Sequence, residues 1–180
     1  MRHLRSSSMT VVNIQGEVLD QIWRDFDAAS DSNSLDSSIA NLVDLSGHIE
    51  KLDEQSLSRV GVRLTVDDDA KEIADHAKHL GLIDLVFPQF KDGRPFSTAV
   101  TIRRDYGFTG DLRASGDILP DQALFLVRCG FSSIVVPPQF SVEQFKVSLG
   151  AYSVAYQPAA DGGVNLVQDL RAAAVEVAAE

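Results

Sequence analysis

Four glycines divide the second half of the chain into repeated strand–helix units: Gly81, Gly107, Gly130 and Gly150. Each follows a stretch with apolar residues at helical spacing, and each such stretch follows an apolar or β-prone run. Glycine commonly ends a helix because it adopts the left-handed conformation without a Cβ clash, and an apolar residue then folds back on the last turn. Leu82, Phe108 and Phe131 stand in that position. The pattern predicts four consecutive strand–helix units.

The glycines recur at intervals that suit right-handed βαβ crossovers, so the four strands should be parallel. The predicted strands lie near residues 60–66, 83–87, 111–115 and 133–136. The predicted helices are Asp68–Leu80, Pro95–Tyr106, Leu119–Cys129 and Ser141–Leu149. Ser141 and Gln144 have the spacing of a capping box.

Two α/β architectures satisfy this order. Consecutive strands with helices on one side make a mainly parallel, half-barrel-like sheet, whereas a reversal of strand order makes a small doubly wound sheet. No glycine-rich phosphate loop follows any of the strands, and such a loop is the commonest mark of doubly wound nucleotide folds. We therefore favour the half-barrel-like arrangement.

The chain divides into an N-terminal extension with a connector, residues 1–38, and an α/β domain, residues 39–180. Weak alternation over residues 10–26, with a turn at Gly16, predicts a strand or hairpin from which Trp23 packs onto the main body. Small polar residues from Asp27 to Ser38 are typical of a flexible connector.

Three further elements are predicted outside the repeats. The apolar stretch from Ile39 to Leu45 favours a strand, and residues 151–157 are compatible with another. From Leu166 to Val177 the apolar residues fall on one stripe, which predicts an amphipathic helix that docks on the body or on a partner.

Charge argues against nucleic acid as a partner. The chain has 26 acidic and 16 basic residues, a formal net charge of −10, whereas a nucleic-acid surface needs clustered lysine and arginine. The single cysteine, Cys129, excludes an intrachain disulfide, and the chain cannot by itself hold an iron–sulfur cluster, which needs about four thiolates. We expect no cofactor.

Membrane insertion is not predicted either. No apolar run approaches the roughly 20 residues that span a bilayer, and the basic residues at the N-terminus precede no hydrophobic signal segment. We expect a cytoplasmic location.

Charged side chains follow the second and third predicted strands, where parallel α/β proteins bind ligands. The candidate anion-binding residues are Asp92, Arg94, Arg113, Asp117 and Asp121. Arginine is suited to an oxyanion because its guanidinium is a fork of donors, and the aspartates can orient it. The alternative is that Arg113 and Asp117 form internal ion pairs and that Asp117 caps its helix.

Other reactive residues favour structural roles. Cys129 is predicted at a helix C-terminus, where the dipole disfavours a thiolate, and packs as a small hydrophobe. His76 and His79 share a predicted helix face, but a catalytic metal needs about three protein ligands, so no metal site is predicted. The residues leave open whether the chain is an enzyme.

A run of short motifs over residues 83–136 resembles a bacterial family of unknown function, number 934 in the domain-of-unknown-function series. The motifs are Phe87-Pro88-x-Phe90, Asp92-Gly93-Arg94, Ser97, Arg103-Arg104, Gly110-x-Leu112-Arg113-Ala114, Gly116-Asp117, Asp121-Gln122 and Arg128-Cys129-Gly130-Phe131, with Tyr156-Gln157 near the end. The chain departs from the family at Pro120, where arginine is common.

The resemblance implies a role in sulfur assimilation, because genes of this family usually lie beside those of assimilatory sulfite reductase and its members are labelled oxidoreductases of sulfite reduction. It implies first an accessory protein that assists sulfite reduction through protein–protein interaction. The alternative is a small oxidoreductase-type enzyme or anion-binding protein acting at the strand ends. We also expect a homodimer, because a half-barrel-like sheet leaves edge strands and a concave face that proteins usually cover.

Overall fold

Eight strands form one sheet in the computed structural model, which describes residues 9–20, 23–25, 40–44 and 57–151. The strands are β1 Thr10–Asn13, β2 Val18–Leu19, β3 Trp23–Asp25, β4 Ala40–Asp44, β5 Val60–Leu64, β6 Leu82–Phe87, β7 Asp111–Gly116 and β8 Ser133–Val136. Their order across the sheet is β2-β1-β8-β7-β6-β5-β4-β3. Strands β3 to β8 are parallel and follow one another without reversal. The α/β class and the four predicted parallel strands are confirmed, and the strand order is that of the half-barrel-like arrangement.

The N-terminal strands join this sheet at both of its ends. β1 and β2 form an antiparallel hairpin through a turn at Gly16, whose φ is 75°, and β1 pairs antiparallel with β8. Trp23 begins β3, which lies outside β4 at the other end. The predicted hairpin and the strand predicted over residues 39–45 are therefore present. The connector predicted over residues 27–38 lies outside the described residues, and the domain boundary stays a prediction.

Three α-helices follow the later strands: α1 Arg94–Arg104, α2 Ala123–Arg128 and α3 Val142–Leu149. A 3₁₀ helix, Pro120–Gln122, leads into α2. The capping box at α3 is confirmed, since Ser141 Oγ accepts from Gln144 N and Gln144 Oε1 accepts from Ser141 N. The strand and the helix predicted after residue 151 lie outside the described residues.

The helix predicted over Asp68–Leu80 is wrong. Two 3₁₀ helices, Ala70–Ile73 and Ala77–His79, take its place. The carboxylate of Asp68 accepts hydrogen bonds from Thr65 N and Thr65 Oγ1, and that of Asp69 accepts from Lys71 N. These bonds hold a turn, because aspartate side chains offer the backbone an alternative to the α-helical ladder.

The four glycines divide into two kinds. Gly107 and Gly130 are left-handed, with φ of 65° and 98°. After α2, Phe131 N donates to Leu126 O and Gly130 N donates to Val127 O, which is the paired bonding of a Schellman cap.

The left-handed conformation predicted for the other two glycines is wrong. Gly150 has a φ of −87°, and Gly81 is not among the described glycines with a positive φ. A Cβ at Gly81 would overlap the carbonyl oxygen of Ser58 and lie 2.8 Å from Trp23 Cη2. Gly81 is therefore required by close approach of the backbone.

Alternation along the strands gives the sheet two different faces. One face carries Val62, Ile83 and Leu112 into the apolar core with the helix residues Ala99 and Ile102. The other face carries Arg63, Asp84 and Arg113, which lie in register on β5, β6 and β7. No helix in the described ranges is long and apolar enough to cross a membrane.

Candidate functional site

The carboxyl ends of β5 to β8 meet at one edge because these strands are parallel. We call the connections that follow them, residues 65–69, 88–94, 117–121 and 137–143, the carboxyl edge. It carries seven carboxylates, Asp67, Asp68, Asp69, Asp92, Asp117, Asp121 and Glu143, against two cations, Lys91 and Arg94. The edge is therefore acidic, and its field repels anions.

Arg94 is the predicted anion ligand that lies on this edge, and its guanidinium is already paired. Nε and Nη2 donate to the carboxylate of Asp92, with Nη2 at 2.7 Å, and Nη1 lies 3.3 Å from Val66 O and 3.7 Å from Asp67 Oδ1. The hydrogen bond from Arg94 lowers the pKa of Asp92 below its ordinary value, and the same bond raises the pKa of Arg94. The side chain of Arg94 is 59% exposed, so water screens this pair.

Asp117 positions the loop after β6 rather than a ligand. Its Oδ2 accepts from Phe90 N at 3.0 Å, and its own N donates to Phe87 O at 2.8 Å. Gln122 completes the clamp, since its Nε2 donates to Phe90 O and its Oε1 accepts from Leu119 N. Phe90 is thereby held in a position in which the residue is 47% exposed.

Arg113 does not reach the carboxyl edge, so its predicted place beside Arg94 is wrong. It is the third of six residues in β7 and is 4% exposed. Its Nη2 lies 3.1 Å from Asp111 Oδ2 and its Nε 3.3 Å from Ser133 Oγ. The alternative of an internal ion pair holds for Arg113, because strand alternation turns its side chain onto the polar face of the sheet.

Asp84 occupies the centre of that polar face and is 1% exposed. Burial raises its pKa above 3.8, while Arg63, Ser115 and Arg113 lower it by smaller amounts. Oδ2 accepts from Arg63 Nε at 3.0 Å, whereas Oδ1 has no hydrogen-bond partner among the described residues. Asp84 therefore lies in a row of charged side chains, between Arg63 and Arg113 on the neighbouring strands, and we assign this row a structural role.

An open groove of about 570 Å³ lies beside the last predicted site residue, Asp121. One wall is the 3₁₀ helix Pro120–Gln122 and the residue before it, and the other is the start of α3 with Phe140. Its apolar lining includes Pro120 and Val147, and Val147 is 67% exposed. We call this the α3 groove.

Aromatic rings reach the surface near the carboxyl edge. Phe125 of α2 is 55% exposed, and its ring centroid lies 4.7 Å from that of Phe96, which in turn lies 5.0 Å from that of Phe87. A series of edge-to-face and tilted ring contacts therefore runs from the buried core to the surface, and with Phe90 it exposes apolar area near the carboxyl edge. Exposed aromatics are enriched in protein–protein interfaces.

The remaining reactive residues form no site in the described ranges. Cys129 is buried at 6% exposure, as the sequence predicts. Among the described residues, no group of three or more histidine, cysteine, aspartate or glutamate side chains is arranged to hold a metal ion.

Sequence reasoning missed the polar row and the α3 groove. The row had a signal: Arg63 and Asp84 each interrupt an otherwise apolar or small-residue strand, and Arg113 stands between Leu112 and Ala114. The groove had none, because Pro120 and Val147 belong to different repeats and meet only through tertiary packing.

A family model described as "Bacterial protein of unknown function (DUF934)" matches residues 61–166, more than half of the chain. The matched range begins in β5 and includes β6 to β8 and α1 to α3. No curated protein matches the chain, and no solved structure matches it either.

Proposed function

Since the chain belongs to the DUF934 family of bacterial proteins of unknown function, we propose that it is an accessory protein of sulfur assimilation that assists sulfite reduction by binding another protein. The pathway is what the sequence resemblance implies. Binding, rather than chemistry, is supported by one observation above all, the acidic carboxyl edge with the exposed rings of Phe90 and Phe125.

The placement of the arginines also supports the accessory role over the alternative. An oxidoreductase-type enzyme or anion-binding protein at the strand ends needs several donors around one cleft. Arg94 is paired with Asp92 on the carboxyl edge, and Arg113 is buried against Asp111 within β7. These positions of the two guanidinium groups support the accessory role.

Affinity purification tests the proposal. A tagged chain, expressed in its own host grown on sulfate as sole sulfur source, is expected to retain subunits of sulfite reductase, identified by mass spectrometry. Phe90→Ser removes an exposed ring of the carboxyl edge and should reduce the yield of those subunits. Ile14→Ser is the matched control. Ile14 is 38% exposed in the hairpin turn after β1, and β8 and β7 separate β1 from β6 in the sheet.

Two results would contradict the proposal. Sulfite reductase subunits absent from wild-type eluates would remove the pathway assignment. Equal yields from the wild type and Phe90→Ser would remove the carboxyl edge as the binding surface.

The homodimer remains a second proposal about partners, and the sheet gives it a physical basis. β2 and β3 are the outermost strands of the described sheet, and outer strands leave backbone groups unpaired. Val18 of β2 is 62% exposed, but Glu17 and Asp20 flank the strand and oppose edge-to-edge pairing. Light scattering at micromolar concentration distinguishes a dimer from a monomer.

A further inference from the structure

The α3 groove presents apolar surface that the described chain leaves open to solvent. Leu119, Pro120 and Phe140 line it together with Val147, which is 67% exposed. Residues 143, 144, 147 and 148 all line the groove and follow the spacing of one helix face, so this face of α3 borders the open space between α3 and the 3₁₀ helix Pro120–Gln122. Burying apolar area here would be favourable for an occupant.

The charge at the rim is entirely negative. Asp121 stands on one wall and Glu143 on the other, and no described lysine or arginine lines the groove. Lys146 of α3 lies instead against the turn at Gly16. The two are so close that a Cβ at Gly16 would overlap Lys146 Cγ. The start of α3 does not attract an anion either, since Ser141 and Gln144 complete the capping box and Glu143 compensates the positive end of the helix dipole.

From this combination we infer that the α3 groove is a docking site for an amphipathic helix of a partner protein, with an apolar side chain on the groove and lysine or arginine beside it. The apolar stripe would contact Val147 and Pro120, and the basic residues would lie against Asp121 and Glu143. This inference rests on the proposed function and names the chemistry of the partner's binding segment.

Two synthetic peptides test the inference with the full chain. Both have about four helical turns and the same leucine stripe, and the polar face carries lysine in one and glutamate in the other. Fluorescence anisotropy of the labelled peptides should show saturable binding of the lysine peptide and none of the glutamate peptide. Binding should weaken as salt is added, because exposed charge pairs are screened.

Val147→Asp separates apolar docking from general attraction. It adds a negative charge beside the groove, so attraction between charges alone would strengthen binding of the lysine peptide. Docking on Val147 predicts the opposite, an affinity at least about tenfold weaker. Val147→Thr, which keeps the shape without the charge, should weaken binding as well and serves if the aspartate variant melts early.

A pair of charge reversals tests the rim. Asp121→Lys with Glu143→Lys should abolish most binding of the lysine peptide. Glu72→Lys with Asp75→Lys changes the net charge equally at exposed acids outside the groove and should change affinity by less than about twofold.

Each of three results with the purified chain would overturn the inference: no saturable binding of the lysine peptide, equal or tighter binding by Val147→Asp, or conversion of a wild-type dimer to a monomer by Val147→Asp in light scattering. The last would assign the groove to a second copy of this chain. Retention of sulfite reductase by a groove variant would overturn the docking site while leaving the proposed function intact. If wild-type eluates contain no sulfite reductase but the lysine peptide still binds, the proposed function is overturned and the docking site stands.

Discussion

Arg63 Nε lies 3.0 Å from Asp84 Oδ2, so an ion pair joins β5 to β6 on the polar face of the sheet. Arg113 lies on the other side of Asp84 in the same register. Asp84 thus has a guanidinium on each neighbouring strand, yet burial outweighs their attraction and its pKa is raised. The carboxylate costs the fold stability when it is ionised.

Asp84→Asn should change how stability depends on pH. The folded protein holds the Asp84 proton above pH 3.8, where the unfolded chain releases it, so folding takes up a proton in that window. The free energy of unfolding of the wild type, relative to Asp84→Asn, should therefore fall as pH rises from 3.8 through the raised pKa. Urea unfolding at a series of pH values measures this difference.

Asp92→Asn is the control of opposite sign, because the hydrogen bond from Arg94 lowers the pKa of Asp92. Its contribution is present above 3.8 and is lost as pH falls through the lowered pKa, and it should be small because the pair is exposed.

A pH-independent difference between the wild type and Asp84→Asn would show that Asp84 is ionised in the fold as readily as in water.

Arg103→Met should destabilise the fold, whereas Arg104→Met should not. The guanidinium of Arg103 donates to the carbonyls of Gly130, Phe108 and Gly110 at 2.8 to 2.9 Å, and it lies 5.0 Å from the Phe108 ring centre. Its loss leaves three carbonyls without that donor and should cost about 3 kcal/mol. Arg104 is 71% exposed and pairs with its neighbour Asp105, so its loss should leave the free energy of unfolding nearly unchanged. Equal midpoints of chemical unfolding for the two variants would refute this account.

Gly130→Ala should destabilise the fold, whereas Gly150→Ala should not. Gly130 has φ 98°, where a side chain is strained, so alanine should cost about 1–2 kcal/mol. Gly150 has φ −87° and its added Cβ would meet only ordinary contacts, the nearest at 3.5 Å, so alanine should be neutral or stabilise by up to about 1 kcal/mol. Thermal melting of both variants checks the pair. A loss of the same size at both positions would mean that φ does not decide the effect.

The parallel sheet was predictable from the repeats because residues close in the sequence determine both the apolar strands and the glycines that end helices. Gly130 illustrates this: the Schellman cap needs only the preceding helix and the following Phe131. Gly81 could not be assigned correctly, since its role depends on Ser58 and Trp23, which come close only in the folded chain. The segment after β5 failed for a local reason, the competition of Asp68 and Asp69 for backbone N–H groups.

The candidate site was predictable in part. The loops after β6 and β7 do meet, and Asp117 binds Phe90 N across them. Arg113 was misplaced because its position within the predicted strand already fixed the face of its side chain, and only strand ends reach the carboxyl edge. The α3 groove depends on how α3 packs against Pro120–Gln122, which no spacing in the sequence specifies.

Sulfate distinguishes the accessory role from the anion-binding alternative. If Arg94 holds an oxyanion, sulfate should raise the melting temperature more than chloride at matched ionic strength, and Arg94→Lys should lose that excess because lysine lacks the bidentate fork. We expect no Arg94-dependent excess, since Asp92 already takes Nε and Nη2 and the surrounding edge is acidic. Arg113→Lys should lower the melting temperature equally in both salts, because Arg113 is buried against Asp111 and Ser133. A sulfate-specific gain that disappears only in Arg94→Lys would establish the anion site at the carboxyl edge and would count against the accessory role.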